Sequence, residues 1–207
     1  MVTHRVVFGQ RMGWLFSVLG RFRGRLLLRL LLVAASVHLV VLAAWLSFNG
    51  LPGPLRIHPE TWFLLAVVLL TTPLQAAGEE VALRGLATRA IGSWFAKPAV
   101  GLAVSAAVTA GLFVLLHSAS DLGLNAFYLA LALSASLLTW RTGGLEAAIT
   151  LHVVVNLTTM LFLPFLGLDS AFDRDAGAGG GQAWAQLIAV VLAATAILWN
   201  WASRRAS

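Results

Sequence analysis

Three short polar patterns at one-turn helical spacing interrupt an otherwise apolar sequence. GEEVALRG, from Gly78 to Gly85, carries Glu79, Glu80 and Arg84; FVLLH, from Phe113, ends in His117; HVVVN joins His152 to Asn156. Residues four apart share a helix face, so Glu80 and Arg84 can pair and neutralise each other. Glu79 is then an excess negative charge that calls for a proton, a cation or a water. An ion pair that only fixes helix packing is the competing reading of Glu80 and Arg84. His117 closes a ridge of Gly101, Ser105, Thr109 and Phe113 at four-residue steps, whose small members let a neighbouring helix approach. An imidazole and a carboxamide on one face, as at His152 and Asn156, need partners or a polar cavity. Between them these groups offer carboxylates and imidazoles that can take up or deliver a proton and a carboxamide that can donate a hydrogen bond to an oxygen.

The elements that must position these groups are membrane helices. Hydrophobic residues make up 59% and charged residues 11% of the 207-residue chain, and mean hydropathy is +0.88. That is too apolar for an ordinary soluble domain. A hydrocarbon core of about 30 Å takes roughly 20 apolar residues in a helix, and six runs qualify: Leu26 to Phe48, Trp62 to about Arg84, Ala99 to His117, Leu122 to Trp140, Leu145 to Leu166, and Ala183 to Trp201. They are long, rich in Leu and Ala, and lack the short alternation of a barrel strand. The expected fold is all-α, one polytopic transmembrane bundle of about six spans over residues 26–201. A basic segment, residues 1–25, precedes it and a short tail, 202–207, follows. Ionisable residues inside spans are costly and are functional candidates by default. Arg29, His38 and Glu146 join that group but fit no shared pattern.

Net charge is +6, which by itself would suggest nucleic acid, but the basic residues sort by side. Arg5, Arg11, Arg21, Arg23, Arg25, Arg29, Arg84, Arg89, Lys97, Arg141, Arg204 and Arg205 all fall on one side of the alternating spans, leaving Arg56 and Arg174 on the other. The positive-inside rule makes the first side cytoplasmic, with both termini inside and the chain in the plasma membrane. The partner implied is the lipid bilayer, with no nucleic acid. The N-terminal stretch, with Trp14, Phe16 and Phe22, reads as a topology anchor or an interfacial helix on the anionic leaflet. AGAGGG, from Ala176 to Gly181, reads as a flexible outer linker. The chain has no cysteine, which removes disulfides, thiolate metal sites and cysteine nucleophiles.

EExxxR, FxxxH and HxxxN, in that order and on three different apolar helices, resemble the CAAX protease and bacteriocin-processing (CPBP, or ABI) family of intramembrane proteases, related to CAAX prenyl endopeptidases. The resemblance spans roughly Pro73 to Pro164 and takes in RTGGLEAAITLH, from Arg141 to His152. Leu83 departs from it, standing where the family often has an aromatic residue. The resemblance implies that Glu79 with His117 activates water, that Arg84 orients and charge-balances Glu80, and that His152 with Asn156 stabilises the oxyanion. It implies a polypeptide substrate, membrane-anchored or lipid-modified. Two histidines and a carboxylate can also hold zinc with an open fourth position, but HExxH is absent, and the reading leans to a metal-independent Glu79 base. A proton-coupled transporter and a non-catalytic scaffold or immunity protein are the other readings.

One geometric tension is built into this scheme. His117 lies on the order of 28 Å along a straight helix from Pro98, near the outer face, whereas Glu79 and His152 are expected nearer the cytoplasmic end. The sidedness itself is open to test: a reporter fused after Ser207 is expected to read as cytoplasmic, and one in the Gly179 to Gly181 linker as external. The opposite pair of signals would refute it.

Overall fold

The computed structural model describes residues 9, 11–166 and 173–204; Arg5 and Arg205, used above for sidedness, and the end of the tail lie outside the described residues. A short turn, α1 (Gly13–Phe16), leads into α2 (Gly24–Asn49). There follow α3 (Thr61–Glu80), a π-helical segment (Val81–Ala87) and α4 (Thr88–Gly92), then α5 (Pro98–His117), α6 (Leu122–Thr142), α7 (Glu146–Met160), the short α8 (Leu163–Leu166) and α9 (Gly180–Ser203). Six helical stretches are long and apolar enough to cross a membrane, with residues 61–92 counted as one and 146–166 as another. The chain is a multi-pass membrane protein with an all-α fold.

α7 is the hub, packed against α2, α3 and α6, while α9 closes the bundle on α2 and α6. Every residue from Glu146 to Val155 is buried, so the helix carrying HxxxN is sheathed by protein where a peripheral helix would face lipid. The Gly101, Ser105, Thr109 and Phe113 ridge of α5 is buried as the spacing predicts. At its foot the backbones of α4 and α5 touch: a Cβ added at Gly101 would stand 2.7 Å from the Gly92 carbonyl oxygen.

That contact resolves the geometric tension. The second span does not end near Arg84 but runs on to Gly92, because Arg84 is buried within the bundle and marks no membrane boundary. Counting twelve residues up from Gly92 and from Gly101, roughly 18 Å on each helix, reaches Glu80 and Phe113 at one level. α7 also begins deep. The turn before it packs against the π-helical segment, with the Leu145 side chain 3.2 Å from where a Gly85 Cβ would lie.

The N-terminal segment fills the space beneath this deep turn. Leu15 and Ser17 are buried, Val18 N–H donates to the Gly143 carbonyl (2.9 Å), and Leu145 N–H donates to the Phe16 carbonyl (2.8 Å). Gly143 adopts a φ of +67°, a conformation that favours glycine. A Cβ at Gly144 would collide with Arg23 and Glu146. Arg23 grips Glu146 with two guanidinium bonds, Nη2 to Oε2 at 2.6 Å and Nε to Oε1 at 3.1 Å; its Nη1 donates to the Thr142 carbonyl. These residues therefore pack on protein, and Glu146 is the partner of Arg23.

On the opposite face Asp121 caps α6, accepting from Leu124 N–H (2.7 Å) and from Gly177 N–H (2.9 Å). The Leu124 amide, joined by Gly177 and others, holds the Asp121 carboxyl below its ordinary value. The expected AGAGGG linker is correspondingly shorter. Gly180 and Gly181 belong to α9, and Gly179 is packed against Asp121 and Ala183. An external reporter is better accommodated beside the exposed Leu51.

Two stability outcomes follow from these contacts. Arg23→Ala leaves Glu146 buried without its charge partner and is expected to cost about 3–5 kcal/mol, with Arg23→Met/Glu146→Met restoring most of it; thermal unfolding in detergent reads both. A carboxyl held below its ordinary value stabilises the fold at neutral pH, and that stabilisation is lost as pH falls through the folded value. Asp121→Asn should therefore lower the melting temperature at pH 7 and weaken the loss of stability on acidification.

Candidate active site

Glu79 and Glu80 are the last residues of α3, and Arg84 lies in the π-helical turn that follows. π-Helical turns inside longer helices recur at functional sites because they re-aim side chains without ending the helix. Here Glu80 and Arg84 are fully buried. Arg84 Nη1 donates to Glu80 Oε1 at 3.0 Å and Nη2 to the Ala132 carbonyl of α6 at 2.9 Å, while its guanidinium carbon lies 5.3 Å from the centre of the Phe113 ring.

His152, buried on α7, joins the two glutamates. Its Nδ1 is 2.8 Å from Glu80 Oε1, so one carboxylate oxygen takes both Arg84 and the imidazole. Its Nε2 is 3.7 Å from Glu79 Oε2, too far for a direct hydrogen bond and a separation at which a bridging water is the usual question. The Glu79 side chain is 30% exposed and accepts from Gln75 Nε2 at 3.0 Å. Glu80 is thus the dry, fixed carboxylate and Glu79 the accessible one.

His117 enters the group through aromatic contacts. The Phe113 ring lies 4.4 Å from His117 and 5.6 Å from His152, centre to centre, and Tyr128 packs 4.1 Å from His117. His117 Nδ1 is 2.8 Å from the Phe113 carbonyl. A carbonyl oxygen only accepts, so Nδ1 carries the hydrogen and, in a neutral ring, Nε2 is left as an acceptor. A cavity of ≈ 850 Å³ reaches this place, lined at its inner end by Gln75, His117, Tyr128 and Asn156. Its mouth lies among residues 52–58, α8 and residues 173–179.

All six residues singled out by their spacing come to one neighbourhood. Glu79, Glu80, Arg84 and His152 are in direct polar proximity; His117 is linked through Phe113; Asn156 lies one turn above His152 on the cavity wall. Gln75 and Tyr128 were not singled out. The first had a readable signal, standing one turn before Glu79, whereas the second comes from a helix with no motif. His38 is a buried residue bonded to its own helix at the Ala34 carbonyl. His58 lies at the cavity mouth.

Among the described residues no three His, Asp or Glu side chains are grouped so as to hold a metal ion. Nδ1 of each histidine is engaged, His152 with Glu80 and His117 with a backbone carbonyl, an arrangement that leaves Nε2 of both rings available to a water, a substrate or a metal ion.

No curated protein and no solved structure matches the chain. A family model described as "Type II CAAX prenyl endopeptidase Rce1-like" matches residues 60–158, the stretch from the start of α3 to within α7 that carries all three motifs. Prenyl endopeptidases of this type are proteases, which suggests peptidase activity here. That match, across motifs that stand in family order, supports membership of the CAAX protease and bacteriocin-processing family.

Proposed function

We propose that this protein is an intramembrane endopeptidase of CAAX-protease type that hydrolyses a peptide bond in a membrane-anchored or lipid-modified polypeptide. The observation that carries this reading is the approach of an accessible carboxylate, Glu79, to His152 beside a cavity whose inner wall holds His117 and Asn156. A water between Glu79 and His117 gives up a proton to Glu79, the general base, as it attacks the peptide carbonyl. The acceptor nitrogen of His117 orients that water. Glu80, itself held by Arg84, keeps the His152 ring fixed through Nδ1. With a second proton on the ring, Nε2–H and the Asn156 amide form a pair of donors for the oxyanion. The proton taken by Glu79 then passes to the leaving amine.

No step in this scheme calls for a metal. The plasma membrane, with both termini cytoplasmic, is the location proposed. Matching interrupted helices in two halves would favour a transporter; the π-helical segment at residues 81–87 has no π-helical counterpart elsewhere among the described residues.

Glu79→Gln is expected to abolish cleavage of membrane peptides while leaving the unfolding temperature unchanged, and Asn156→Ala to lower kcat by about 10²–10³. Exhaustive chelation should leave turnover intact. A loss on chelation that zinc restores would replace this mechanism with a metal-dependent one.

A further inference from the structure

The two ends of the bundle are built differently, and the proposed chemistry leaves that difference unused. At the end where α2 begins and α9 finishes, protein fills the space below the catalytic cluster. Leu15 and Ser17 are buried there, and the Leu145 and Leu15 side chains stand 3.2 and 3.4 Å from where a Gly85 Cβ would lie. Arg89 Nη1 closes the seam by donating to the Trp14 carbonyl at 2.6 Å. Above this floor come Glu80 and Arg84, both fully buried, so the Nδ1 side of His152 meets protein. The opposite end is open among the described residues. The ≈ 850 Å³ cavity runs from His117 and Asn156 to a mouth between residues 52–58, which join α2 to α3, and residues 173–179, which precede α9. Backbone bonds hold that mouth in place: Arg56 N–H donates to the Phe165 carbonyl at 2.9 Å and Ser120 N–H to the Arg174 carbonyl at 2.8 Å, while the Thr61 hydroxyl donates to the Pro164 carbonyl at 2.9 Å.

We propose that the active site takes its polypeptide only from the face opposite the termini. Its substrates are then membrane-anchored chains whose unfolded cleavable segment emerges on that face, and chains whose segment emerges on the terminal face are excluded. Cleavage rests on the peptidase reading; one-sided access rests on the floor and the cavity alone. With the termini cytoplasmic, as proposed, the cut segment is one exposed outside the cell. The cavity has the size of a small-ligand pocket, room for a short extended length of chain and too little for a folded domain. A segment entering through it keeps its backbone groups beside water or polar walls. One entering from the other end must part Leu15, Leu145 and Gly85 and break the Arg89 and Arg23 bonds, leaving polar groups unpaired in an apolar interior.

The chain has no cysteine, so a single introduced thiol reports access without background. Four full-length variants are prepared in right-side-out and in inside-out vesicles: Leu51→Cys and Ala96→Cys, exposed markers of the two faces, Asn156→Cys at the inner end of the cavity, and Thr159→Cys, exposed on its wall, as a second probe should Asn156→Cys not fold. Each is treated with a membrane-impermeant methanethiosulfonate bearing a sulfonate, and modification is read by mass spectrometry. The cavity thiol is expected to react from the face that labels Leu51→Cys, at a rate within about tenfold of that marker because reactivity follows exposure, and not from the face that labels Ala96→Cys. Modification from the Ala96 face, from both faces, or only by the membrane-permeant N-ethylmaleimide would overturn one-sided access. In parallel, unmodified protein in the same two vesicle types is given a library of peptides carrying a charged tag that keeps them from crossing the bilayer. Cleavage is expected from the Leu51 face alone, and cleavage from the Ala96 face would overturn the proposal. One-sided labelling with no cleavage from either face would count against the peptidase reading and support the opening.

Discussion

A carboxylate far from water keeps its charge only if something in the protein replaces the water, and Glu80 is the residue in which this protein meets that demand. Its Oε1 takes both the Arg84 guanidinium and the His152 imidazole. Arg84 in turn reaches a carbonyl of α6 and faces Phe113 of α5. One oxygen atom thereby ties α3, its π-helical continuation and α7 directly, and two further helices through a single side chain. Removing any one member would strand a charge or a polar group in an apolar interior, which costs far more than the pair itself contributes. The dry cluster can therefore act as a rigid mount for the His152 ring, with Glu79 beside it as the accessible carboxylate.

Division of the site into a dry mount and a wet face also explains the mixed character of its surroundings. Phe113 touches Arg84, His117 and His152, so a single aromatic ring separates the fixed charges from the cavity while setting the distance between the two histidines. Tyr128 covers the other side of His117. An imidazole held between two rings has little rotational freedom, and little entropy is lost when it engages a water or a substrate.

The parts of this architecture that follow a local period were legible in the sequence. Four-residue spacing placed Glu80 with Arg84, His152 with Asn156, and the α5 ridge on an inward face, because a helix imposes that geometry whatever surrounds it. The end of the second span was not legible in the same way. Arg84 and Arg89 have the chemistry of a membrane boundary, and only the tertiary partner of Arg84 shows that the helix continues past it. The cavity and the docking of residues 13–23 depend on contacts between segments more than a hundred residues apart, for which a periodicity has no signal. Gly143 and Gly144 were part of the family resemblance, yet their reason, a left-handed turn pressed against Arg23, lies in the N-terminal segment, where no motif was recognised.

That docking has a consequence for the order of events during synthesis. Residues 13–23 leave the ribosome more than a hundred residues before their partners, Thr142 to Glu146. Until then Arg23 is a cation without its buried partner. Once the fifth span arrives, the same charge is withdrawn into a pair with Glu146 beneath the turn that starts α7. His152 is carried on that helix, so the cluster around Glu80 cannot close before it arrives. The Glu80 cluster thus stays open through most of the chain's insertion, and its closure is timed by the distance along the chain between an arginine and a glutamate.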